Sequence, residues 1–73
     1  MSRNLRVMVK SGCLKRSIEN FGGGRFLVKT DKTNVIEVNE DIRFMLSKTL
    51  GLPETKLELV AGENSENKIF QII

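Results

Sequence analysis

The absence of histidine and the presence of a single cysteine in this 73-residue chain remove most protein chemistry at once. A structural zinc site usually takes four Cys or His ligands, so none can be assembled, and haem or iron–sulfur ligation is equally unsupported. No internal disulfide can form. Without histidine the commonest general base is missing, and Cys13 would need a carboxylate or a lysine to activate it. Lys15 and Arg16 lie close to it in sequence, but a solitary intracellular cysteine with no role is the plainer reading. Tryptophan and tyrosine are absent too. The four phenylalanines look committed mostly to packing, so the aromatic pair of an RNA-reading sheet is not in evidence. No apolar run approaches the ~18 residues of a membrane span, and no charged-then-apolar leader opens the chain. A lone free cysteine suits a reducing compartment. The expectation is a cytoplasmic, noncatalytic protein with no cofactor, no metal and no membrane partner.

What remains is one small domain over residues 1–73. A chain this short buries only ~60% of its unfolded surface, so its stability must come from packing, a partner or a second copy. The net charge of +3 is unevenly placed. Residues 1–32 carry eight Lys and Arg against two acids, net +6, and residues 33–73 carry four against seven, net −3. Such asymmetry marks a candidate basic face for polyanions; a mixed, solvated surface is the plainer alternative.

Leu5, Val7 and Val9 alternate with Arg6, Met8 and Lys10, a period of two that predicts a strand with one buried face. Residues 13–20 are mixed and polar, with Leu14 and Ile18 as apolar anchors of a helical turn or an irregular arm. Gly22-Gly23-Gly24 is a turn. It leads into a strand through Phe26, Val28 and Thr30, with Phe21 and Phe26 placed to meet across its mouth. Residues 5–10 and 25–30 are expected to pair antiparallel. Residues 31–38 read as a loop, or as a short strand at Val35–Val38. Asn39 is the expected N-cap, with Glu40 and Asp41 in the first turn of a helix over residues 40–50. Its apolar face is Val38, Ile42, Met45, Leu46, Thr49 and Leu50, and Gly51 with Pro53 ends it. Leu57, Leu59 and Ala61 form a strand, Gly62 to Ser65 a turn, and Ile69 to Ile73 a closing strand. No internal repeat is apparent.

The order strand, arm, strand, loop, helix, strand, strand resembles the YggU-like family of small uncharacterised proteins, over about Leu5 to Ile72. The opening strand Leu5 to Lys10, the basic Lys15-Arg16 with Ile18, and Asn39-Glu40 carry the likeness. So do Leu46 to Gly51, Leu59-Val60, Gly62-Glu63, and Ser65 with Lys68. The resemblance implies an α+β two-layer sandwich. Its sheet would have about four mixed or antiparallel strands with one main helix on one face, in the order β-β-α-β-β. It implies no activity. The chain departs from the family between Asp31 and Val38, where the usual prolines, glycine and lysine are missing. A ubiquitin-like order, with a first hairpin over residues 25–38, is the rival fold.

Two functional readings follow. In the first, Lys10, Lys15, Arg16 and Lys68 converge into a basic patch, joined by Asn39 and Ser65, that binds RNA or an RNA-containing assembly. Phosphate backbones are met by such mixtures of cations and polar groups. In the second, Phe44, about half a turn from Ile42 on the helix, anchors a protein partner as interface aromatics do. The adjacent carboxylates Glu40-Asp41 serve the helix N-terminus rather than acid–base work. The glycine run leads into a strand, unlike a phosphate-binding loop.

Overall fold

The computed structural model describes residues 3–73, with Arg3 described by its backbone alone. Met1 and Ser2 of the expected 1–73 domain lie outside the described residues. Five strands and one main helix follow in the order β1 (Arg3–Lys10), β2 (Ser17–Gly22), β3 (Arg25–Lys29), α1 (Val35–Leu50), β4 (Leu57–Ala61) and β5 (Asn67–Ile72). A single 3-10 turn at Glu54–Lys56 precedes β4. This is the expected α+β domain with a mixed sheet, but the sheet has five strands rather than four.

The strand order is β2-β3-β1-β5-β4. β1 lies at the centre, parallel to β3 and antiparallel to β5. The expected antiparallel pairing of residues 5–10 with 25–30 is therefore corrected. The residues between them supply their own strand, β2, which forms the hairpin with β3 and leaves β3 free to run alongside β1. Gly23 and Gly24 hold φ of 63° and 76°, the positive values that tight hairpin turns need at both central positions. Asn20 pairs with Phe26, so Phe21, one residue on, faces the other side of the sheet. Phe26 is buried and Phe21 is exposed, and they do not meet as expected.

Alternation sorts each strand into two faces. Leu5, Val7 and Val9 of β1, Phe26 and Val28 of β3, Leu57 of β4 and Phe70 of β5 pack against Val38, Ile42 and Leu46 of α1. Ile18, Met45, Leu50, Leu59 and Ile72 extend this core at its margins. Thr49, expected on the apolar face, is exposed. Leu14, expected as an anchor, is fully exposed in the Ser11–Arg16 connection. That connection is held instead by backbone bonds from Gly12 to Lys32 and from Cys13 to Thr30.

The helix starts at Val35, and its N-cap is Asn34, not Asn39. Asn34 Oδ1 accepts from the Ile36 and Glu37 amides at 2.9 and 3.4 Å, satisfying two of the amides that a helix start leaves open. Residues 31–38, expected as a loop, are thus a short turn and the first turn of α1. At the other end Gly51 caps in the left-handed conformation and donates to the Ser47 carbonyl, as its place before Pro53 predicts.

Candidate functional site

The expected basic patch does not assemble; its members separate into three places. Lys10 projects from β1 on the sheet face away from the helix. Lys15 and Arg16 sit in the connection between β1 and β2. Lys68 pairs with Val7 across β1 and β5 and so points to the helix side, where it is only 4% exposed.

Lys68 has a specific task there. Its Nζ donates to the carbonyls of Gly62 and Glu63 at 2.9 and 2.8 Å. Asn39 Nδ2 reaches the same Glu63 carbonyl at 3.3 Å. Ser65 Oγ accepts from the Asn67 amide at 3.0 Å. Three of the proposed contact residues thus converge, but on the turn that joins β4 to β5, which they fasten to α1. Gly62 makes that turn passable: its φ is +79°, and a Cβ there would lie 2.1 Å from the Asn67 carbonyl oxygen. Burial holds the Lys68 ammonium below the ordinary lysine value, with the neighbouring Glu63 carboxylate opposing the shift. Among the described residues, the buried Asn39 Oδ1 and Arg43 Nε, one helical turn apart, have no hydrogen-bond partner.

Arg16 is occupied as well. Its guanidinium grips both carboxylate oxygens of Asp41, with Nε 3.1 Å from Oδ2. Thr30 Oγ1 donates to the same Oδ2 at 2.6 Å. Asp41 is 8% exposed, so this bidentate pair pins the β1–β2 connection and the end of β3 to the helix. Phe44 adjoins it. Its ring, 41% exposed, carries the Arg16 guanidinium at 5.9 Å and the Lys48 ammonium at 5.3 Å from its centroid.

The uncovered face of the sheet holds the strongest unassigned feature. Arg6-Val7-Met8-Val9-Lys10 and Arg25-Phe26-Leu27-Val28-Lys29 are two versions of one pentapeptide, a short internal repeat where none was expected. They pair in parallel and in register: Arg6 beside Arg25, Met8 beside Leu27, Lys10 beside Lys29. The inward Val7, Val9, Phe26 and Val28 are core. The outward residues form three rungs, two cationic and one apolar. Like charges directly opposite one another on a sheet destabilise it. Among the described residues no carboxylate forms an ion pair with any of the four. Glu19 and Glu58, the acids on this face, lie on the edge strands.

A hollow of about 690 Å³ opens on this face, bordered by Arg6, Met8, Phe21, Arg25 and Ile69 among others. Phe21, 61% exposed, and Met8, 55% exposed, are large apolar groups left uncovered beside the cations. The pattern cation–apolar–cation, repeated at one spacing in two strands, was visible in the sequence. What placed it side by side was the parallel register.

No protein-family model matches the chain, and no curated protein matches it significantly. Among the described residues no helix is long and apolar enough to cross a membrane, and no three acidic, cysteine or histidine side chains cluster as a metal site would require.

Proposed function

We propose that this protein is a small noncatalytic module that binds RNA, or an RNA-containing assembly, through the uncovered face of its sheet. One observation carries the reading: Arg6 beside Arg25 and Lys10 beside Lys29 form two like-charge rungs, separated by the Met8 and Leu27 rung, with no ion-paired carboxylate among the described residues. A polyanion is the ligand that relieves their repulsion, and paired guanidiniums suit phosphate oxygens. The same charge disfavours a second copy of the chain, whose basic face would repel this one. Lys10 is the one member of the expected patch retained in this surface. A reducing cytoplasm, where Cys13 would stay a free thiol, fits the reading. Kinship with the YggU-like family is likewise a proposal, carried by the sequence resemblance from Leu5 to Ile72.

The test is RNA binding by the full chain at low salt. Exchanging Arg25 and Lys10 for Glu together is expected to abolish it, whereas Lys15→Glu leaves most of it. Undetectable binding by the wild-type protein would sink the proposal. Arg16→Glu is not a useful control, because it sets a second carboxylate against buried Asp41.

A second reading, a protein adaptor anchored at Phe44, rests on that ring's exposure beside Lys48. It uses the opposite layer of the molecule. Phe44→Asp should then lose a captured protein partner while RNA affinity is untouched.

A further inference from the structure

Resting on that reading, we infer that the RNA bound is single-stranded, with its bases laid on the apolar floor between the cationic rungs. The Arg and Lys rungs are four residues apart along β1, about 13 Å at the rise of an extended strand. The space between them is apolar on the two central strands. On β1 and β3 it holds Met8 and Leu27, with Asn67 beside Met8 on β5 and Glu19 beside Leu27 on the β2 edge; the Arg rung is flanked by Ile69 on the β5 side and by Phe21 beside Gly22 on the β2 side.

A surface that met only phosphates would have no use for this floor. A paired A-form helix turns its phosphates and 2′-hydroxyls outward and keeps its bases stacked inside. It would touch the four cations and leave Phe21, Met8 and Ile69 facing its hydrated backbone. An unpaired strand presents both parts at once: phosphates for the cations at either end, and base faces for the apolar middle. Binding of unpaired strands by a basic surface with stacking groups is tolerant of sequence, because every base has a flat face. Phe21 is the stacking group here. It sits where the register of β2 slips between Asn20 and Gly22, and it borders the hollow with Arg6 and Arg25.

The experiment compares three labelled ligands of equal length by fluorescence anisotropy: a single-stranded RNA, a duplex, and an abasic ribose–phosphate strand. The single strand is expected to bind about tenfold more tightly than either of the others, the size of one stacked base. Phe21→Ala, at an exposed position that the fold does not need, should erase that advantage and leave the affinity for the abasic strand unchanged. Equal affinity for all three ligands, or a preference for the duplex, overturns the inference. If the Arg25 and Lys10 charge reversals still lower that shared affinity, the basic-face reading stands without it. Binding of none of the three defeats both.

Discussion

At the scale of single residues, Lys68 governs an unusual pH response. Its amine is buried and donates to two turn carbonyls, and burial depresses its affinity for a proton relative to an exposed lysine. Between the lowered folded value and the ordinary lysine value of 10.5, the unfolded chain therefore holds more protons than the folded one. Stability must rise with pH across that interval. The cost of keeping the charge buried is fully present below it and is relieved above it. Relative to a Lys68→Met variant, the wild-type protein should gain in urea midpoint as pH climbs from neutrality towards 10.5. A difference between the two that stays constant with pH would refute this. The substitution also frees the Gly62 and Glu63 carbonyls, so it should destabilise at neutral pH.

At the scale of elements, the helix start offers a direct test. Asn34→Ala should cost about 1 kcal/mol in chemical denaturation, the usual effect of losing an N-cap. Asn39→Ala should act instead through the lost bond to Glu63. Were Asn39 the cap, only its replacement would carry the capping loss. The end of α1 was legible in the chain because Gly51 and Pro53 mark it. Its beginning was not, because Val35 and Ile36 point outward, 42% and 66% exposed, and the amphipathic stripe begins only at Val38. β1, β3 and β4 were legible through alternation, and β5 through its apolar residues Ile69, Phe70 and Ile72. β2 was not: Ile18 is its one partly buried apolar residue, and an edge strand held by backbone pairing needs little more. Of the expected site, Lys10 faces outward as the alternation of β1 required. Lys68 faces inward because it pairs with Val7, and register across β1 and β5 is not written in either strand alone.

At the scale of the whole molecule, the sequence asymmetry becomes a facial one. The basic first half supplies β1 to β3, whose outward positions place four cations on one side of two neighbouring strands. If all four meet phosphates, the logarithm of RNA affinity should fall with the logarithm of salt with a slope of about −3. The Arg25 and Lys10 exchanges should flatten that slope along with the affinity; a slope near zero in the wild-type protein would mean that the contact is not electrostatic. The position of β1 has a consequence for how the molecule is made. β1 leaves the ribosome first among the five strands, yet its neighbour β5 leaves last, with the whole of β2 to β4 in between. The central strand therefore waits, half-paired, until β5 has emerged. Contacts so distant in sequence make for slow folding, and the basic, apolar-studded face of β1 is open to other chains throughout that wait.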